Sequence, residues 1–344
     1  MIYSENTSLQ AACLHIIGNK SLDEGVQISG APMEIDSSML PILTRFFFSS
    51  FKSDERYSFY HHSGIEFNFV FQKVSAIFDN PDSLYLSSIA IAKQLYDSSD
   101  HNRIKEGELC VAYFKEVEVD GEVTDAVGLF KTETKDTYLR VVSVNGNNGL
   151  QKDSGINVNK LDKGCLIFNL DRENGFVLAI VDGINRTEAK YWVEDFLQAK
   201  PKADEYHQTR ALLSAAKGFI MKSLPAETPK GEKAELMDRT LRYFQENQSF
   251  NMDDFSEKVI ANEDLSVGFG EYMAAYAAKN ELDLPESFSI SESAVKKSSR
   301  SMKSVIKLDK NFHIYVHGGE GLIKKGFDEA TGMEYYQLYF NKEE

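Results

Sequence analysis

Between Leu109 and Val181 the chain reads as antiparallel β-structure, and this stretch restricts the possible folds more than any other. The runs Leu109 to Val119, Asp125 to Lys131, Tyr138 to Val144, Cys165 to Leu170 and Phe176 to Val181 are rich in β-branched and aromatic residues, which suit a pleated, packed surface. The dipeptides Asp120-Gly121, Asn145-Gly146 and Asn174-Gly175 separate several of these runs. Such pairs supply the positive φ angles of tight hairpin turns. Hairpins, not helical crossovers, therefore join the strands, and the sheet is expected to be antiparallel.

Helical patterning flanks this β region. Asp36-Ser37-Ser38 precedes an apolar stripe of Met39, Leu40, Ile42, Leu43, Phe46 and Phe47 at three- and four-residue spacing, with Pro41 in the first turn, where a missing N–H costs little. A second helix follows Pro81, carried by Leu84, Ile89, Ile91, Ala92 and Leu95. Ala11 to Ile17 reads as a strand ended by Gly18-Asn19. Beyond Gly183, helices are expected over Thr187 to Leu197 and Glu205 to Leu224, with an almost purely helical stretch reaching Lys279. The last forty residues return to strand: Ser304 to Leu308, Phe312 to His317, Leu322 to Phe327 and Tyr335 to Phe340 suggest a small meander. The expected class is α+β, with a mixed N-terminal domain over 1–200 and a C-terminal helical region plus β-meander over 201–344. The break lies where Ala199-Lys200-Pro201 ends a helix.

A chain of 344 residues, 42% hydrophobic and 26% charged, can build two cores, which sets aside collagen, disulfide scaffolds and wholesale disorder. Cys13, Cys110 and Cys165 form no C-x-x-C pair, so buried free thiols in a reducing cytoplasm are expected. The N-terminus lacks the basic and apolar regions of a signal peptide, and no apolar run approaches bilayer length, so no membrane partner is expected.

Catalytic and cofactor signatures are weak. The chain has no Walker-type G-K-[ST] and no G-x-S-x-G elbow, and Gly268-Phe269-Gly270 lacks dinucleotide-binding spacing. The seven histidines, His15, His61, His62, His101, His207, His313 and His317, make no convincing metal pair. His61 and His62 are adjacent, so on a strand they would face apart, and His313 and His317 sit in strand-like sequence. Asp82 with Glu133 and Lys135 offers the residue types of a Mg²⁺-dependent nuclease. The same residues also suit a helix first turn and the solvent face of a hairpin. A non-enzymatic protein without cofactor or metal is the reading preferred.

Charge is more informative. The net charge is −15, yet from Lys296 to Lys325 eight basic residues face only Asp309 and Glu320, a local excess of +6. A positive patch can bind phosphates on an acidic protein, because charges beyond a Debye length of about 8 Å are largely screened. Lys296, Lys297, Arg300, Lys303, Lys307, Lys324 and Lys325 are the candidate DNA-backbone contacts. Serines 293, 298, 299, 301 and 304 are interleaved as potential phosphate donors. The alternative is a solvated face, or a surface opposing the acidic helical residues Asp253, Asp254, Glu257, Glu263 and Asp264.

Several segments together resemble the bacterial nucleoid-associated protein family: His15 to Lys20, Val74 to Pro81, Tyr191 to Leu197, Tyr206 to Thr209, and Lys307 to Gly318. The likeness spans about residues 8–341. It implies a cytoplasmic, nucleoid-located, non-enzymatic protein that binds double-stranded DNA or a DNA-bound protein, and it brings no list of site residues. An adaptor that recruits a DNA-processing enzyme without touching DNA is the alternative. Homo-oligomerisation is compatible with either.

Overall fold

Residues Leu109, Val111 and Tyr113 are buried in one hydrophobic cluster, whereas their neighbours Cys110, Ala112 and Phe114 are buried in another. Alternation of side chains along a strand explains the division: the central sheet is covered on both faces, so its strands read as continuous apolar runs. The computed structural model describes the chain apart from residues 145, 184–190, 226–227, 281, 283, 303, 309–311, 317–322, 341 and 343–344. For 144, 230, 300, 304–307, 313, 315–316 and 323 it describes the backbone only.

Two compact units divide after Lys202. The first contains strands β1 (Ile2–Tyr3), β2 (Ser8–Ile17), β3 (Val26–Gln27), β4 (Tyr57–Phe59), β5 (Gly107–Val119), β6 (Glu122–Thr132), β7 (Lys135–Val144), β8 (Asn147–Ile156), β9 (Lys163–Phe168), β10 (Val177–Asp182) and β11 (Ala199–Pro201). Its α-helices are α1 (Leu40–Phe48), α2 (Phe69–Asp79) and α3 (Leu84–Ser98). The sheet runs β11-β4-β10-β9-β6-β5-β2-β3, with β1 also pairing to β5, and every pairing is antiparallel.

Helices α2 and α3 cover one face through Val70, Val74, Ile77, Leu84, Ile91 and Leu95. The other face is closed by Phe46, Phe47 and Phe48 of α1 and by Phe51, with Phe47 stacked 4.2 Å from Phe130. Asp36 caps a short 3₁₀ turn, Ser37–Met39, that leads into α1, so the expected start signal acts one turn earlier than the helix itself. The Asp120-Gly121 hairpin is as expected: both residues have positive φ, 52° and 89°, and Val119 pairs with Glu122. Gly175 closes a longer loop at φ 94°, where a Cβ would lie 2.3 Å from the Phe59 carbonyl oxygen. Of the helix expected over Thr187 to Leu197, residues 187–190 lie outside the described residues. Tyr191–Phe196 is a π-helical turn that buries Trp192 and Phe196.

The second unit contains α4 (Glu205–Lys222), α5 (Lys230–Glu246), α6 (Met252–Phe255), α7 (Glu263–Lys279) and α8 (Glu292–Met302), with strands β12 (Ser249–Asn251) and β13 (Ser287–Ser289) as a short pair. Its core is aromatic, with Phe250 packed against Tyr243, Phe244, Phe255 and Phe288. The C-terminal strands are β14 (Ser304–Leu308), β15 (Phe312–Val316), β16 (Ile323–Asp328) and β17 (Met333–Leu338). Among the described residues they pair two by two, β14 with β15 and β16 with β17, so the meander takes the form of successive hairpins. The fold class is α+β.

Candidate nucleic-acid interface

Ser291 immediately precedes helix α8; its Oγ accepts the Ala294 N–H at 3.4 Å while its own N–H donates to Thr209 Oγ1 of α4 at 3.0 Å. Both bonds satisfy groups that a helix start leaves open. Ala294, Val295 and Met302 are buried, so the opposite side of the helix faces solvent. Lys296 and Lys297 lie there, both exposed. The Lys297 ammonium lies 5.8 Å from the ring centre of Tyr206, and the Arg210 guanidinium lies 5.9 Å from the same ring. Lys217, one heptad after Arg210 on α4, donates to the Ser301 carbonyl at 2.6 Å, where a cation complements the C-terminal end of a helix.

Arg210 and Lys217 are thus additional cations beside Lys296 and Lys297, and charge counting along the sequence missed them. Their seven-residue spacing puts them on one helix face, a signal that could have found them. The serines behave differently from the expectation. Ser299 Oγ donates to the Lys296 carbonyl and Ser301 Oγ to the Ser298 carbonyl, each at 2.8 Å, so those hydroxyl protons are spent within the helix.

The other sequence candidates are less concentrated. Lys324 and Lys325 are neighbours on β16 and so point to opposite faces. Lys324 sits 5.5 Å from the Tyr339 ring centre, and Lys325 forms a 2.6 Å ion pair with Glu334. The Glu334 hydrogen bond holds the Lys325 ammonium above its ordinary pKa. Glu334 lies just beyond the segment whose charge is +6, and it offsets part of that excess. Lys307 occupies β14 opposite His313. Lys303 lies outside the described residues, as do the side chains of Arg300 and Lys307. Of the acidic residues considered as a counter-surface, Asp254 bonds Lys258 at 2.7 Å and Tyr243 at 2.8 Å.

A second concentration of charge is buried in the first unit. Lys131 of β6, Lys163 of β9 and Asp182 of β10 occupy one cross-strand row. Both lysine side chains are fully buried. Lys131 Nζ reaches Glu133 Oε1 at 2.9 Å and donates to the Lys105 carbonyl at 3.0 Å; Lys163 Nζ reaches Asp182 Oδ1 at 3.1 Å. Tyr191 links the two halves, donating its hydroxyl to Glu133 at 2.6 Å and presenting its ring to both ammonium groups, 5.6 and 5.0 Å away. Burial depresses the Lys131 pKa, opposed by the attraction of Glu133.

That network also answers the Mg²⁺ arrangement. Glu133 is an internal counter-ion to Lys131, Lys135 pairs with Glu108, and Asp82 lies in a 3₁₀ turn capped by Asn80. No group of three or more His, Cys, Asp or Glu residues that could hold a metal occurs among the described residues.

His15 is buried, with Nε2 2.9 Å from Ser88 Oγ and Nδ1 accepting the Ser29 N–H at 3.3 Å. His61 and His62, expected to diverge, instead place their rings 4.3 Å apart, because they occupy a turn rather than a strand or helix. His317 lies outside the described residues. The three cysteines are free and buried. Desolvation raises all three thiols, Cys110 to about 12, which leaves them poor nucleophiles. Among the described residues no helix is long and apolar enough to cross a membrane.

No curated protein matches the chain. A family model described as nucleoid-associated protein YejK matches residues 13–332, a span that includes most of the sheet, the buried lysine row, the α4–α8 cations and most of the C-terminal strands. The chain belongs to that nucleoid-associated family, NA37.

Proposed function

We propose that the protein acts on the bacterial nucleoid in the cytoplasm, without enzymatic activity, by holding the phosphate backbone of double-stranded DNA against the α4–α8 face. Lys296 and Lys297 are the principal contacts, with Arg300, Lys303, Lys307, Lys324 and Lys325 as the wider set. The observation that carries this reading is the solvent-facing pair on α8, flanked by Arg210 and Lys217 of α4, in a chain with a net charge of −15. Backbone contacts of this kind supply sequence-independent affinity. Lys325 would have to open its ion pair with Glu334 to meet a phosphate.

Fluorescence anisotropy with a labelled duplex tests the assignment. Lys296→Glu with Lys297→Glu is expected to weaken binding by at least about tenfold on every sequence, and Lys325→Glu to weaken it less. Affinity unchanged by the α8 pair would remove the site.

The acidic total also favours a second reading, in which the protein joins the nucleoid through a DNA-bound protein. Co-purification that persists after the lysate is treated with nuclease supports that reading; loss of partners on digestion supports direct DNA contact.

A further inference from the structure

Among the described residues strands β7 and β8 pair only with each other, in register from Lys135 opposite Ile156 to Val144 opposite Asn147. At about 3.3 Å per residue the ribbon is roughly 33 Å long. None of its described side chains belongs to a buried hydrophobic cluster. Leu139, Val141 and Leu150 are 65%, 69% and 69% exposed. The register puts them on one face together with exposed Lys152, since Leu139 opposes Lys152 and Val141 opposes Leu150. An isolated two-stranded ribbon is marginally stable in water, and a contiguous apolar face of this kind marks an interaction surface.

Nucleic acid does not suit this face. The ribbon carries Lys135, Arg140 and Lys152 against Asp136 and Asp153, and Arg140 is directed at Gln151 and Asp153, at 3.2 and 3.9 Å. A complementary surface exists on the same unit. A cleft of about 450 Å³ is lined by Tyr3, Glu5, Asn6, Glu116, Glu118 and Val123. There Tyr3 and Val123 flank Glu118 in one cross-strand row and are 45% and 69% exposed. Apolar residues beside carboxylates meet the ribbon's apolar residues beside Lys152.

The two surfaces lie at opposite ends of β6. The strand starts at the cleft and runs Glu122–Thr132 before the chain enters the ribbon at Lys135, about 35 Å at ordinary strand rise. A ribbon is therefore rooted far from its own cleft, whereas two copies side by side and antiparallel bring each ribbon to the other's cleft. We propose that the β7–β8 ribbon is a dimerisation arm whose Leu139–Val141–Leu150–Lys152 face seats on the Tyr3–Glu118–Val123 row of a second copy. Opposite charge at Lys152 and Glu118, beside exposed apolar residues on both surfaces, selects this pairing, which two-fold symmetry makes twice in the dimer.

Sedimentation of the full chain across micromolar concentrations tests this. The wild type is expected to dimerise, Val141→Asp to be monomeric with an unchanged circular dichroism spectrum, and Lys152→Glu and Glu118→Lys each to weaken the dimer about tenfold. The double variant carrying both reversals should recover the wild-type dimer. In a second measurement, Val141→Cys combined with Val123→Cys should form a disulfide-linked dimer under mild oxidation, the native thiols being buried. A wild type that stays monomeric, a dimer indifferent to Val141→Asp, or failure of both the charge swap and the cross-link would overturn the proposal.

Discussion

At Lys131 burial and ion pairing act in opposite directions, and burial prevails. Withdrawing an ammonium from water costs several kcal/mol, and only well-placed partners offset it. Glu133, the Lys105 carbonyl and the Tyr191 hydroxyl supply them. Lys131→Ala strands the Glu133 carboxylate in the interior and is expected to cost about 3 kcal/mol by denaturant titration. Lys131→Met with Glu133→Leu should recover most of that loss. Because the folded pKa of Lys131 lies below its unfolded value, the folded state resists protonation there. This residue therefore adds stability as pH rises through the folded pKa towards the ordinary lysine value.

Asp120 has the opposite sign. Burial pushes its pKa up, but hydrogen bonds from Arg56 and the N-terminal ammonium win, so the carboxyl titrates below the usual carboxylate range. Its contribution is complete above the unfolded carboxylate pKa and is lost as pH falls through the folded one. Arg56→Met should reduce that acid-side dependence in thermal melts recorded between pH 5 and pH 2. Asn68 is a simpler case. Its Oδ1 caps α2 through the Phe71 N–H, while its Nδ2 donates to the carbonyls of Tyr60, Leu197 and Gln198. Asn68→Ala is expected to cost about 2 kcal/mol in urea unfolding, from the lost cap and the abandoned buried carbonyls.

Elements were legible where one period dominated. The apolar stripe after Pro81 becomes α3, and the Asp-Gly dipeptide at 120–121 becomes the tight β5–β6 turn. Burial of the sheet on both faces was harder to foresee, because a continuous apolar run carries no sign of what covers it. The buried lysine row was missed for a related reason. Lysine in a strand reads as a solvent-facing residue, and only the register that aligns Lys131, Lys163 and Asp182 reveals the pairing. The +6 stretch was visible as composition, but its division between a solvent-facing helix side and a strand with Lys325 tied to Glu334 required coordinates. The ribbon offers an element-scale test. At concentrations where the wild type is monomeric, replacing residues 137–154 with an Asn-Gly turn should leave the melting temperature within a few degrees of wild type, since no core cluster includes the described residues deleted; a large drop would show that the ribbon stabilises the unit from which it extends.

For the whole molecule, the proposed DNA contact sets an acidic chain of the nucleoid-associated family against a polyanion. In that proposal the α4–α8 cations act at short range, while more distant carboxylates are screened at physiological salt.

The most direct measurement is the salt dependence of duplex binding, as log affinity against log salt concentration, for the wild type and for Lys296→Glu with Lys297→Glu. With roughly four phosphates contacted per face, the wild-type slope should be near −3.6, and the variant's should be shallower by about two. A slope that the variant leaves unchanged, or no duplex binding even at low salt, would contradict the account.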